Sequence, residues 1–245
     1  MGGCLGIVLA RAGSKGLAGK NQRVVAGRLM AEWTLMHAAG TAGVDVIALS
    51  TDSETLLAAA QQTWPAVRLV RRPAELAGDT ATVADAARHA LFELEQQRGA
   101  TFDDVVLWYA NVPVRPADLT QRALQLLRQS GCDSVQSVCD VGKHHPYWMR
   151  RVDAAGVMTA YVENNIDRRQ DLPAVYELDG GVIALRRDGL ANAAGQAPHA
   201  MLGGDRRAIV TQRGEVVDVD DAMDLAVVEA ILSKQSEGMR QREAA

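Results

Sequence analysis

Short apolar runs of strand length recur along this chain, and segments of helical period stand between them. The first run, CLGIVLA (residues 4–10), leads through a glycine-rich loop into the helical segment RLMAEWTLMHAAG (28–40). VDVIALS (44–50), VRLV (67–70) and DVVLWY (104–109) read as the second, third and fourth strands, and the fourth reads as buried. SVQSVC (134–139) is a weaker fifth, GGVIAL (180–185) a core strand, and EVVDV (215–219) a final one. Thr82 opens a helix with Val83, Ala87, Ala90, Leu91 and Leu94 on one face, and Asp85 completes a capping box. Pro116 opens another helix carrying Leu119, Ala123 and Leu126, and a last one carries Leu225, Val228 and Leu232. This alternation predicts a doubly wound, mostly parallel α/β sheet. In such sheets ligands bind beyond the carboxyl ends of the strands. Here that means residues 11–20, 51–53, 71–82 and 110–115.

The alternation stops after Val141. Residues 143–179 have no clean helical period, yet hold Tyr147, Trp148, Tyr161 and Tyr176 of the four tyrosines and four tryptophans. This predicts an irregular β excursion inserted into one α/β domain made of 1–142 and 180–236, followed by a polar tail at 237–245. With 48% hydrophobic residues the chain can bury one large core. A net charge of −4 gives no reason to expect nucleic acid as a partner. No apolar run is long enough to span a bilayer, and the N-terminus lacks the basic start of a signal peptide. The odd count of three cysteines, without metal spacing, fits reduced thiols and predicts a soluble, cytoplasmic protein.

The loop LARAGSKGLAGKN (9–21) lies between strand and helix, where backbone N–H groups and a helix N-terminus suit an anion. It is not a Walker A motif, since five residues separate Gly13 from Gly19-Lys20 and Asn21 stands where Ser or Thr is needed. Nor is it G-x-G-x-x-G. Phosphate contact therefore falls to Arg11, Lys15 and Lys20, and any metal must be held elsewhere. Asp218 and Asp220 are the candidates. Two apart on an extended segment, their carboxylates share a face, and two such oxygen ligands suit Mg²⁺ beside a substrate phosphate. Asp220 or Asp221 as a helix cap is the competing reading. Arg72, after the third strand, is a candidate for ribose or phosphate contact. His144-His145 does not read as a metal site, because adjacent residues on an extended chain face opposite ways and no third ligand follows.

These stretches resemble the acylneuraminate cytidylyltransferases, the CMP-sialic acid synthetase family. ARAGSKGLAGKN is similar to that family's N-terminal signature, and STDS (50–53), RRPAELAGDTATVADAARHAL (71–91), PVR (113–115), HHP (144–146), RRQDLP (168–173) and VVDVDDAMDL (216–225) follow in order. The resemblance implies an α/β nucleotidyltransferase, dimerising through a small β excursion. It implies transfer of CMP from CTP to the hydroxyl of a nonulosonic keto-sugar acid, a small acidic acceptor, with release of pyrophosphate. By the same resemblance Arg11, Ser14, Lys15, Lys20 and Asn21 would bind the triphosphate, with Arg11, Lys20 and Asp218 as the catalytic set. Arg72, Ala81 and Thr82 would read ribose and cytosine, and Asp218 and Asp220 would hold Mg²⁺. Asn111, Arg115, Tyr176, Glu177 and Asp179 fall where acceptor contacts are expected, and Arg169 would reach a neighbouring subunit's site.

Two departures bear on the acceptor. The family's Gln-Pro-Thr-Ser-Pro-Leu-Arg run is here Tyr109-Ala110-Asn111-Val112-Pro113-Val114-Arg115, without the glutamine. Where sialic-acid users carry Arg-Pro-Asn-Gly, this chain has Glu177-Leu178-Asp179-Gly180. An acid in place of an anion-gripping arginine reverses the local field, which predicts a different nonulosonic acid, an amino-bearing sugar acid or a small phosphonate. The rival readings are 3-deoxy-manno-octulosonate activation and a nucleotide-binding relative without turnover.

Overall fold

A computed structural model of the protein describes every residue except 1, 14, 15, 79, 198, 244 and 245, with side chains described up to residue 236. The central sheet has seven strands. They are β1 (Cys4–Leu9), β4 (Val46–Thr51), β5 (Arg68–Arg71), β6 (Asp104–Tyr109), β7 (Ser134–Asp140), β10 (Tyr176–Arg186) and β11 (Arg206–Thr211), in spatial order β11-β7-β10-β6-β1-β4-β5. All run parallel except β10, which is antiparallel to both β6 and β7. Two short hairpins lie outside it, β2–β3 (Val24–Val25, Arg28–Leu29) and β8–β9 (Arg150–Val152, Met158–Ala160). The chain winds outward from β1 through β4 to β5, then returns to β6 on the other side of β1. The switch in winding direction therefore lies between β1 and β6.

Both faces of β1 are buried, as a central parallel strand requires. Cys4 and Val8 pack toward α1 (Met30–Ala39), α2 (Glu54–Thr63) and α4 (Leu119–Ser130). Leu5, Ile7 and Leu9 pack toward α3 (Val83–Arg98) and α5 (Arg187–Ala191). Gly6 is required here, because a Cβ would lie 2.3 Å from the Trp108 ring of β6. Thr82 caps α3 as expected: its Oγ1 accepts from Asp85 N at 3.0 Å and donates to the Asp85 carboxylate. A third apolar cluster, including Val25, Trp33, Val219, Val228 and Leu232, seats α6 (Ala222–Glu243).

Three expectations are corrected. Residues 215–219 are not a sheet strand. They lie along the loop after β6, with Val217 N donating to Val114 O (3.2 Å) and Val219 N to Asn111 O (2.9 Å). The seventh strand is β11, an exposed edge whose apolar residues are too few and too flanked by arginine to show a pattern. The polar stretch from 237 continues α6 to Glu243 rather than leaving it. The excursion contains three 3-10 turns (Pro146–Trp148 and Arg169–Asp171 within it, Gly142–His144 at its start) and the β8–β9 hairpin. No helix among the described residues is long and apolar enough to cross a membrane.

His37 of α1 sits behind the sheet, its Nε2 2.9 Å from Thr120 Oγ1, which also accepts from Trp108 Nε1 at 3.0 Å. Burial first, and then the Arg115 charge, lower its pKa to about 3. Below its ordinary pKa of about 6.5 the unfolded chain takes up a proton that the folded chain refuses, so stability falls as pH drops. Denaturant unfolding should show a loss of up to about 2 kcal/mol between pH 7 and pH 5 from this residue. The His37→Gln variant should lack that component of the slope.

Candidate active site

The loop after β1, the turn after β5 and the loop after β6 converge on a cleft of about 480 Å³ at the switch in winding direction. Arg11, Lys20 and Asn21 line it from the first loop, Arg72, Ala81 and Thr82 from the second region, and Asn111 and Asp220 from the far side. Eight residues picked from the sequence thus meet in one place. Ser14 and Lys15, from the same loop, lie outside the described residues.

Local packing positions each of them. Gly16 runs against the backbone of Asp220, where a Cβ would stand 2.6 Å from the carbonyl oxygen, so only glycine permits the approach. Ala12 N donates to Asp52 Oδ1 (2.8 Å), tying the loop to the end of β4. Asn21 is buried; its Nδ2 donates to Arg11 O (2.9 Å), while Oδ1 has no partner among the described residues. Lys20 Nζ donates to Val219 O and to Asp220 Oδ1, both at 2.8 Å, which holds the ammonium at the cleft edge beside the carboxylates. Arg72 is buried at 7% exposure, donating to Ser50 O (3.0 Å) and Ser50 Oγ (3.3 Å). Desolvation lowers its pKa, an effect that the nearby Asp52 opposes.

Although 215–219 is not a strand, the alternation that pairs the two carboxylates survives. Val217 and Val219 turn inward to the α6 cluster, leaving Asp218 and Asp220 on the opposite side. Asn111 Nδ2 donates to Asp218 Oδ1. Asp218 is pushed up to about 6, by burial first and by the charge of Asp220, against the pull of Lys20. Asp224 accepts from the backbone N–H groups of Asp220 (3.0 Å) and Asp221 (3.1 Å). Asp221 Oδ1 takes the capping role, accepting from Asp224 N at 3.0 Å, so Asp220 is free of it. Among the described residues no three His, Cys, Asp or Glu side chains form a metal cluster.

The expected acceptor contacts fare differently. Of these residues, only Asn111 lines the cleft. Arg115 is a strut beneath it, donating through Nη2 to the carbonyls of Val112 and Tyr109 (3.3 Å for the latter). Its Nε and Nη1 are buried without partners among the described residues, and burial lowers its pKa to about 9. The Asp179 carboxylate is already taken, accepting from Ser137 Oγ, Gly181 N (2.9 Å) and Thr211 Oγ1 (2.6 Å). Glu177 is exposed and meets Cys139 Sγ at 3.7 Å; Tyr176 and Arg169 are exposed on the excursion side. Strand parity explains this: Asp179 and Glu177 alternate with Leu178 and Gly180, which face the cleft side of the sheet. Sequence reasoning placed 51–53 at the ligand end without giving Asp52 a role, and missed Tyr109 and Val83. Tyr109, the last residue of β6, was recoverable from the rule that ligands sit at strand carboxyl ends.

The polar cleft at the winding switch thus brings Arg11, Lys20 and Arg72 together with Asp220, and Asn111 of its lining holds Asp218. The family model described as cytidylyltransferase matches residues 5–179, and the chain belongs to that family. A CMP-N,N'-diacetyllegionaminic acid synthase of Legionella pneumophila is 27% identical over 96% of this chain and 98% of its own. An N-acylneuraminate cytidylyltransferase of Streptococcus agalactiae is 28% identical over 74% of this chain and 43% of its own. The resemblance read from the motifs is thus borne out. In fold, the chain is similar to a CMP:2-keto-3-deoxy-manno-octonic acid synthetase complexed with CTP, with TM-score 0.71 and 18% identity over 95% of this chain and 99% of that one.

A carboxyl raised above its unfolded value burdens the fold once ionised, and for Asp218 that burden grows from about pH 4 to pH 6. Asp218→Asn should therefore stabilise the ligand-free protein at pH 7.5 by on the order of 1–2 kcal/mol, after discounting for screening. At pH 4 the gain should vanish. Denaturant curves at the two pH values measure it.

Proposed function

We propose that this cytidylyltransferase transfers CMP from CTP to a hydroxyl of a nonulosonic keto-sugar acid, with Mg²⁺ as cofactor, releasing pyrophosphate. The observation carrying this reading is the convergence of Arg11, Lys20, Asn21, Arg72 and Asp220 on one cleft, with Lys20 paired to Asp220 at 2.8 Å and Asn111 of the lining holding Asp218. The acceptor oxygen bonds to the α-phosphorus, its proton is lost, and the bond to the bridging oxygen of pyrophosphate breaks. Such a reaction needs positioned charge more than covalent help. Arg11 and Lys20 neutralise the triphosphate, Asn21 orients it, and Arg72 with the 81–82 turn sets the nucleoside.

The residues suit Mg²⁺ in kind. Burial first, and then the charge of Asp220, raise the Asp218 carboxyl to about 6, a strain that a dication would relieve. Two carboxylates are also as many as Mg²⁺ usually takes when substrate phosphates and water complete its shell. When bound, it would polarise the phosphates and stabilise the charge on the leaving pyrophosphate. The relative from Legionella pneumophila, similar along almost its whole length, supports a nonulosonic acceptor. The three free cysteines are in keeping with a cytoplasmic setting.

Melting temperature should rise with CTP plus Mg²⁺ and not with UTP, GTP or ATP. At about a hundred times the dissociation constant the stabilisation is about 2.7 kcal/mol. It should disappear without metal and fall sharply in Lys20→Ala, and a preference for another nucleotide would sink the reading. With CTP and a sugar acid, Asp218→Asn should release pyrophosphate at least about a hundredfold more slowly.

We also infer that the chain pairs with a second copy through residues 143–179. Val152, Val157, Met158, Tyr161 and Tyr176 are all exposed there, an apolar surface of the kind that interfaces cover. Light scattering at micromolar concentration should give twice the chain mass. A monomer would count against the pairing.

A further inference from the structure

Lys20 and Asp220 stand 200 residues apart in the sequence and meet at the edge of the cleft. The ammonium donates to Asp220 Oδ1 and to Val219 O, both at 2.8 Å. It also lies near enough to Asp218 to act on it. Burial, and then the charge of Asp220, raise that carboxyl, and the Lys20 charge opposes the rise. One cation of the chain thus sits among the oxygens of Asp218, Val219 and Asp220.

Carboxylate and carbonyl oxygens are also what Mg²⁺ takes, at about 2.0–2.1 Å. Ammonium and dication together would crowd three positive charges against two carboxylates, so each disfavours the other there. Lys20 is built to change partner. Main-chain bonds fix the backbone around it, Lys20 N to Leu17 O at 3.1 Å and Gln22 N to Gly19 O at 2.9 Å. The movable part is the flexible four-carbon stem. It lines the same cleft as Arg11 and Arg72. Asp220 is the freer carboxylate of the contact, its side chain 76% exposed against 13% for Lys20.

We propose that Lys20 is the resident counter-cation of the Asp218–Asp220 pair, and that it bars a divalent cation until a triphosphate draws the ammonium away. The proposal rests on the cytidylyl-transfer reading above and concerns how the two ligands of that site depend on each other. A polyphosphate beside Arg11 and Arg72 offers the ammonium new anionic partners, and Asp220 is released. A divalent cation arriving alone must break both bonds of the ammonium and gives it nothing in return. Losing one bond of a charged group costs roughly tenfold or more in affinity. The dependence runs both ways, since whatever holds Lys20 on Asp220 weakens the phosphate site and the cation site together. Lys20 thereby couples the ligands as well as gripping one of them.

The test is Mn²⁺ binding to the protein without nucleotide, read by electron paramagnetic resonance and by melting temperature. Lys20→Met should bind Mn²⁺ at least about tenfold more tightly than the parent chain, and Mn²⁺ should raise its melting temperature further. The bonds of the ammonium lie at the cleft edge, so the variant should fold. Lys20→Gln, which keeps a donor for Val219 O, is a second variant with the same expectation. Adding Asp220→Asn to either should abolish the gain. Arg23→Met removes a charge from the same loop, where Arg23 Nε donates to Ala18 O at 3.4 Å, and should give no gain. Equal Mn²⁺ affinity in the parent and both Lys20 variants would overturn the proposal. So would a gain that survives Asp220→Asn, or an equal gain in Arg23→Met. In each case a CTP-dependent melting shift of the parent chain with Mg²⁺ leaves the cytidylyl-transfer reading standing. A parent chain that CTP and Mg²⁺ do not stabilise would sink that reading and the exchange with it.

Discussion

β1 and β6 lie side by side, paired in parallel from Cys4↔Asp104 to Leu9↔Tyr109, and this pairing decides where everything else stands. It closes only because Gly6 leaves room for the Trp108 ring. Trp108 is anchored in turn through Thr120 to His37, which ties α4 and α1 to the back of the same strands. Since winding reverses between these two strands, the loops after them splay to opposite sides and leave a crevice. The glycine-rich loop after β1 and the 110–115 loop are the walls of that crevice.

The second wall is completed from the far end of the chain. Residues 216–220 are held by main-chain bonds to the 111–114 loop and by burying Val217 and Val219 under α6. This presents two carboxylates to Lys20 across almost the whole sequence. Burial, and then the charge of Asp220, raise the Asp218 carboxyl there, at a cost to the fold.

Much of this was legible before any coordinates. The strands with both faces buried announced themselves as unbroken apolar runs, and the loops between them carried the glycines and cations. What escaped detection had weak local signals. β11 is an exposed edge strand that opens on two arginines and holds only three apolar residues. Asp52 acts on Ala12 forty residues away, and Tyr109 looks like the last residue of a core strand. Position in a motif also misled: Asp179 falls where an acceptor contact is expected, yet its oxygens are saturated by Ser137, Thr211 and Gly181.

By itself the sequence determined the α/β class, the family and which loops meet at the cleft. Each of these is written in contiguous stretches whose periodicity or spacing reflects local backbone geometry. Tertiary structure alone decided which side of β10 faces the cleft, that Arg115 braces a loop rather than lining it, and that an apolar chamber opens beyond Tyr109. Those outcomes depend on strand parity, on register between distant strands and on packing of β10, α3 and the segment after α5. No short stretch of residues encodes them.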